Sequence, residues 1–401
     1  MRHRVFSARH SVVQSMVRGL ATDRIFALAR TLRLCHFIRR MARIRGDRRY
    51  IHMKKNAAVI GYGGMGGGFH VKHLQNSDVC NFAGIYDIDP AKRELAASRG
   101  IKVYNTREEL LADPTIDMVT VAIPNDVHEE VVVASLAAGK HVICEKPVTL
   151  SLDSLERMIA VSQKYDRIFS VHQNRRFDVD YLAMKKIHDS GEIGDVINIE
   201  SRIHGSRGIP SDWRGIKKYG GGMLYDWGIH LIDQICMILG FDGIASVRCT
   251  FDHITNEEVD DGFQFWLEYE NGQKAYVEVG TYNFIAMPRF YMRAKNGSAL
   301  ISDWRQNAHV VKCKAWHESD VVPVQTAAGL TKTMAPRDSV TVDEYDIERP
   351  VSDVHDYYRN FVRAIDGLEP QFVTHDQMRT DLRLIMKAFE SVEKGGEKVL
   401  W

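Results

Sequence analysis

Apolar residues come in short runs through the first part of the chain. Residues 57–60, 82–86, 102–104, 118–123, 141–144 and 168–171 read as strands, most of them with no polar face. Between them, residues 70–74, 91–98, 128–138 and 152–165 carry the wider spacing of helices. Strands without alternation, separated by helices, suit a parallel sheet covered on both faces. The pattern changes near residue 176. Residues 181–190 read as a helix, 196–203 alternate as a half-exposed strand, and 225–239 form a strong helix stopped at Gly240. Segments 244–253, 262–269, 273–281 and 289–295 follow as antiparallel strands, with turns at Asn271-Gly272 and Asn296-Gly297. The stretch 318–350 reads as polar and irregular, and 353–366 and 375–394 as amphipathic helices.

The chain has 401 residues, more than one ordinary domain holds. With 45% hydrophobic and 26% charged residues it fits a globular protein. No apolar run has the length of a transmembrane helix, which argues against a membrane partner. Cys35, Cys80, Cys144, Cys236, Cys249 and Cys313 are scattered, with no C-x-x-C pair. That spacing disfavours a disulfide framework or a zinc site and suits a reducing, cytoplasmic location.

The net charge of +1 hides an asymmetry. Residues 1–50 hold 13 arginines and only two acids, Asp23 and Asp47, so the rest of the chain carries about −10. A body that acidic argues against a nucleic-acid partner. Residues 1–52 have the composition of a transit peptide, or of a basic amphipathic or nucleic-acid-binding arm. The abrupt change at Met53 favours a third reading, an upstream extension that is disordered or loosely helical and without chemistry.

Gly61-x-Gly63-x-x-Gly66 follows the first strand and opens a helix. In a dinucleotide site such glycines give a tight turn, close approach of a pyrophosphate and close helix packing. The helix start at Gly64-Met65 adds N–H groups and a favourable dipole. Asp87 closes the second strand, where a carboxylate can accept from ribose hydroxyls and repel a 2′-phosphate. NAD is therefore expected as cofactor, NADP less so. These observations predict an α/β Rossmann domain over 53–175. An α+β domain over 176–401 would carry a large open, mainly antiparallel sheet, its C-terminal helices packing back toward the first.

Two further stretches carry chemistry. Glu145-Lys146-Pro147 places two charges at the end of an apolar strand, just where proline stops the ladder. Gly220-Gly221-Gly222 leads to Asp226 and His230, four residues apart and so on one helix face. A carboxylate there can orient an imidazole. An N-capping aspartate beside a core histidine reads equally well. No third ligand stands at useful spacing, so no metal is expected.

The glycine turn, Ala122-Ile123-Pro124-Asn125-x-x-His128, Glu145-Lys146-Pro147 and the triple glycine before Asp226-x-x-x-His230 together resemble the Gfo/Idh/MocA family of NAD(P)-dependent oxidoreductases. That family includes glucose–fructose oxidoreductase and inositol dehydrogenase. The resemblance covers residues 54 to about 395. "VHQNRRF" (171–177) and "DWR" (212–214) resemble a branch acting on inositols and sugars. The resemblance implies that Lys146 lies between nicotinamide and substrate, after a sheet strand, with a cis peptide to Pro147. It places Ile123, Pro124, Asn125 and His128 along the cofactor crevice and Glu145 near the nicotinamide ribose. Asn174, Arg175, His204, Trp213 and Arg214 become candidate substrate contacts, with Arg176 either one more or a surface pair.

The implied reaction oxidises a secondary alcohol of a sugar or cyclitol. His230 acts as base, oriented by Asp226, and Lys146 stabilises the developing charge; alternatively Lys146 begins the proton transfer. A homodimer or homotetramer is implied, through a sheet face expected to be apolar. Competing readings are a glucoside 3-dehydrogenase, a redox-neutral NAD-dependent glycosidase of the same fold, a non-catalytic dinucleotide sensor, and an adaptor acting through the Arg-rich leader.

Overall fold

Unbroken apolar runs become the strands of a five-stranded parallel sheet. It holds β1 (Lys55–Ile60), β2 (Cys80–Tyr86), β3 (Met118–Val121), β4 (His141–Cys144) and β5 (Phe169–Val171), in the spatial order β2-β1-β3-β4-β5. The computed structural model describes residues 53–314 and 322–401, so the reading of residues 1–52 lies outside the described residues. β3 and β5 are buried at every position, as strands covered on both faces must be. The crossovers are α1 (Val71–Gln75, entered through a π turn at Gly66–His70), α2 (Pro90–Ser98), α3 (Arg107–Ala112), α4 (His128–Ala137) and α5 (Leu152–Lys164). Caps set several of their starts. Asp89 accepts from Ala91 N ahead of Pro90, and Ser151 accepts from Ser154 N.

The strand expected at 102–104 shrinks to one parallel bridge between Val103 and Ile85. Thr106 caps α3 directly afterwards, so the chain leaves the sheet edge before a ladder can extend. α3 itself is an element that the apolar pattern did not announce.

The second sheet has nine strands. It is built from β6 (Val196–His204), β7 (Ile244–Asp252), β8 (Gly262–Tyr269), β9 (Lys274–Gly280), β10 (Phe290–Ala294), β11 (Gly297–Ile301), β12 (Ala308–Cys313), β15 (Val342–Ile347) and β16 (Val399–Leu400). Its order is β15-β12-β11-β10-β6-β9-β8-β7-β16, and a short hairpin, β13 (Val324–Thr326) and β14 (Gly329–Thr331), stands apart. The antiparallel expectation holds except between β6 and β9, which pair in parallel. The segment between these two strands includes a helix, long enough to return the chain in the same direction. The stretch read as irregular contains β15, an edge strand whose acidic positions stay exposed.

One face of this sheet, with Phe263, Phe265, Leu267, Val277 and Val279, is buried against α6 (Val179–Ser190), α7 (Ile229–Leu239) and α9 (His375–Glu393). The opposite face is not the apolar surface expected. Arg202 pairs with Glu200 and Glu278, and Trp266 packs on Tyr276 at 5.3 Å. The C-terminal helices serve both layers. Tyr357, Tyr358, Phe361 and Val362 of α8 (Asp356–Ile365), with Met378 and Leu382 of α9, join the core of the parallel sheet. Leu384, Ile385 and Ala388, further along α9, join the core of the second.

Candidate active site

The carboxyl ends of β1, β3, β4 and β5 deliver Gly61, Ile123-Pro124, Glu145-Lys146 and His172-Gln173 to one edge of the parallel sheet. Ligands of open α/β sheets bind along that edge. Gly61 turns the chain with φ of 101°, a left-handed conformation suited to glycine. A Cβ there would lie 2.1 Å from the Ala122 carbonyl oxygen, and a Cβ on Gly66 would lie 2.0 Å from that of Gly61. A Cβ on Gly63 or Gly64 would meet nothing within 4 Å. Two glycines thus pack backbone on backbone, and two leave an open surface at the head of a helix, beside half-buried Met65. A pyrophosphate fits that division of labour.

Asp87 is buried at the end of β2. One carboxylate oxygen accepts from Tyr62 N at 2.6 Å and the other from Asp89 N at 2.9 Å. It therefore ties the glycine turn to β2. Two cations stand nearer than their sequence spacing suggested: Lys92 Nζ is 3.9 Å from Asp87, and Arg93 donates to the Asp87 carbonyl at 2.7 Å.

Asn125 is buried and donates to the Tyr219 carbonyl at 3.0 Å, fastening the loop before the triple glycine. His128 is fully enclosed, its ring nitrogens 3.0 Å from the Ile123 carbonyl and 3.1 Å from that of Pro147. Burial lowers its pKa. It braces the ends of β3 and β4 from beneath rather than lining a crevice.

Glu145 turns inward. Its Oε1 lies 2.7 Å from His70 Nε2 and 2.8 Å from His172 Nδ1, and His70 Nδ1 is 2.8 Å from the Tyr358 hydroxyl. Burial alone would push the Glu145 pKa up, but the hydrogen bonds and charges of His172 and His70 hold it well below the usual carboxylate range. His70 itself is pushed down to about 4, chiefly by burial. The three donor atoms lie within 4.8 Å of one another. Tetrahedral ligands on a zinc ion would stand about 3.3 Å apart. The observed contacts are shorter, and hydrogen bonds account for them. The sequence reading missed His70 and His172, and the Glu145 carboxylate that it placed near the nicotinamide ribose is engaged with both.

Lys146 joins Pro147 through a cis peptide. Its ammonium donates to Asp226 Oδ1 at 2.8 Å and to the Asp226 carbonyl at 2.7 Å. Arg214 donates to Asp226 Oδ2 at 2.8 Å, pairs with Asp212 at 2.8 Å, and lies 4.6 Å from the Trp213 ring. Burial works against the Asp226 carboxylate, but Lys146 and Arg214 outweigh it and lower its pKa. Asp226 sits in a π turn, Leu224–Gly228, that leads into α7. Asp260 secures the entry. Its Oδ2 accepts from Leu224 N at 2.7 Å, and a Cβ on Gly222 would lie 2.1 Å from its Oδ1. Burial pushes the Asp260 pKa up to about 8. Asp260 gave no signal in the sequence, since it stands 36 positions from Leu224, whose N–H it holds.

The expected pairing of Asp226 with His230 is not what the structure holds. Asp226 is committed to the two cations, and His230 Nδ1 lies 3.2 Å from Gln173 Oε1. Burial, then Lys146 and Arg175, lower the His230 pKa well below its usual value. Arg175 stacks on Trp227 at 3.9 Å and bonds Asp178 at 3.0 Å; the Trp227 ring is 6.5 Å from that of His230. Half-buried Asn174 opens the 3-10 turn Asn174–Phe177 beside Gln173. Two candidates fall outside the cluster. Arg176 is buried against Asp233 through a forked contact, with the closest pair at 2.5 Å. His204 Nδ1 accepts from Met287 N at 3.1 Å and its Nε2 lies 3.4 Å from Glu278, among the residues of the uncovered sheet face. Strand alternation turns it away from Lys146.

Comparison with known proteins finds matches over both parts of the chain. Residues 55–173 match the family described as "Oxidoreductase family, NAD-binding Rossmann fold", and residues 181–300 match "GFO/IDH/MocA C-terminal domain". An uncharacterized oxidoreductase of Schizosaccharomyces pombe is 37% identical over 176 residues, 43% of this chain and 48% of that one. The myo-inositol 2-dehydrogenase of Thermotoga maritima is 35% identical over 205 residues, 50% of this chain and 59% of that one. The matched stretches thus span about half the length of these two relatives. The crystal structure of an NAD-binding protein from Listeria innocua superposes with a TM-score of 0.83 at 39% identity, covering 87% of this chain and all of that one.

Proposed function

The chain belongs to the Gfo/Idh/MocA oxidoreductase family, and on that premise we propose that it oxidises a secondary alcohol of a cyclic polyol, or reduces the corresponding ketone. The observation that carries the reading is the cluster at the end of β4. There Lys146, Asp226 and Arg214 form an ion-pair chain beside a neutral, buried His230.

The residues present fit a dinucleotide: Gly63 and Gly64 leave room for the pyrophosphate, and Asp87, which accepts one backbone N–H on each oxygen, keeps lone pairs for ribose hydroxyls. When bound, the nicotinamide supplies the hydride acceptor or donor. The protein does the rest. His230 Nε2 takes the hydroxyl proton, and a neutral imidazole keeps its lone pair available for this. Two of the three Lys146 N–H groups go to Asp226, which leaves one to stabilise charge on the substrate oxygen. Arg175 and Trp227, Trp213 and Arg214, and Asn174 offer forks and flat faces to a polyhydroxylated ring. Asp87 favours NAD over NADP, with Lys92 and Arg93 near enough to soften the preference. Cyclitols come first in this proposal because a myo-inositol 2-dehydrogenase is among the relatives.

The test is reduction of NAD⁺ and NADP⁺, followed by absorbance, with a panel of inositols, glucose, galactose and alkyl glucosides. Turnover should be found with NAD⁺ and should fall at least ~100-fold in Lys146→Ala. Turnover unaffected by that substitution, or none on any polyol in either direction, would overturn the reading.

A further inference from the structure

We propose that Gln173 is the positioning residue for His230, and that Asp381 on α9 sets which end of the Gln173 amide the imidazole meets. The inference rests on His230 being the proton acceptor.

Gln173 follows β5 and is 2% exposed, so its amide has few possible partners. Its Oε1 faces His230 Nδ1 at 3.2 Å. An amide oxygen has no proton to give, so a contact in this orientation requires the hydrogen on Nδ1. That leaves the lone pair on Nε2. Were the amide turned over, its N–H would meet Nδ1 instead, and the imidazole would carry its hydrogen on the reacting nitrogen. The orientation of Gln173 therefore decides whether His230 can accept a proton.

Asp381 stabilises one orientation. It is buried, and neither of its oxygens has a hydrogen-bond partner. The groups that face it are the Asp233 carboxylate, the Arg176 guanidinium and the Gln173 amide. Burial first, and then Asp233, raise its pKa well above the usual range, which favours the protonated carboxyl. Asp233 is occupied by Arg176 through both carboxylate oxygens. Protonation would let the Asp381 hydroxyl turn to Asp233 and leave its carbonyl oxygen as the acceptor for the Gln173 N–H, so that both unpartnered oxygens would be used. The chain Arg176–Asp233–Asp381–Gln173–His230 runs from a buried ion pair to the reacting imidazole. It explains a buried carboxyl that the reaction otherwise does not use. The charged and titratable groups facing His230 are Lys146, Arg175, Glu145 and His172. None of them makes the hydrogen bond to Nδ1.

The experiment is nitrogen NMR of the full chain labelled with ¹⁵N-histidine, with His230 assigned by its loss in His230→Asn. Wild type should show a neutral ring with the hydrogen on Nδ1 from pH 6 to 9, roughly the range over which a lowered histidine pKa leaves the ring uncharged. Gln173→Met, close in volume, should yield a mixture of tautomers. It should also lower kcat at least ~10-fold, while the KM for the nicotinamide cofactor stays the same. Asp381→Asn keeps an oxygen for Gln173 and should behave as wild type, whereas Asp381→Leu should give the mixture. A wild-type ring protonated on Nε2, or a Gln173→Met ring unchanged in tautomer, would overturn the proposal. A correct tautomer pattern in a protein with no polyol activity would keep the positioning chain and remove the proposed function instead.

Discussion

Asp226→Asn isolates the ion-pair chain, because it removes a charge and keeps the volume. Asp226 and Lys146 are 8% and 13% exposed, so water screens their 2.8 Å contact little. Breaking a buried pair by removing one partner costs roughly 3–5 kcal/mol. Lys146 keeps the Asp226 backbone carbonyl at 2.7 Å, which places the cost near the lower end. The Arg214 arm, 31% exposed and also paired with Asp212, adds about 0–1 kcal/mol. Asp226→Asn should therefore lose about 3 kcal/mol of unfolding free energy in urea at neutral pH.

The dependence on pH follows from the lowered pKa of Asp226 in the fold. A carboxylate with a depressed folded pKa contributes fully above its unfolded value of about 3.9. The contribution is lost as pH falls through the folded value. The gap between wild type and variant should be flat from about pH 5 upward and close in stronger acid. A gap below ~0.5 kcal/mol at neutral pH, or one that appears only on raising the pH through neutrality, would refute the reasoning.

Two further outcomes follow from packing. Gly61→Ala should fail to fold or lose most of its stability, because its Cβ would strike the Ala122 carbonyl. Gly63→Ala should melt like wild type without cofactor and bind NAD at least ~10-fold more weakly, as read by fluorescence titration. The uncovered sheet face, with its Trp266–Tyr276 pair and Arg202 ion pairs, is expected to bring copies of the chain together as a dimer or tetramer. Light scattering that shows only monomer at micromolar concentration would exclude that.

The parallel sheet was legible because strands buried on both faces have no polar alternation to mislead the eye. The glycine turn was legible because backbone contacts at Gly61 and Gly66 admit no side chain. β15 was not legible, since an edge strand such as Val342–Ile347 needs few apolar positions to be held. The spacing of Asp226 and His230 predicted a shared face. The π turn at Leu224–Gly228 lies between them, however, and each finds a partner from a distant part of the chain. Lys146 is 80 positions from Asp226, and Gln173 is 57 from His230. His204 was misplaced because alternation along β6 does not say which sheet face meets the helices. Contacts across such separations leave no periodicity to read.

The helices at the end of the chain have a consequence for how the protein is made. Tyr357, Tyr358, Phe361, Val362, Val373, Met378 and Leu382 belong to the core of the first sheet, although they are translated some two hundred residues after its last strand. A nascent chain that has released only residues 53–175 presents the ribosome and its chaperones with a nucleotide-binding layer still missing part of its interior. Side chains that complete both cores lie within a few turns of one helix, α9, which emerges late. Both cores are thus completed by the same late-translated helix.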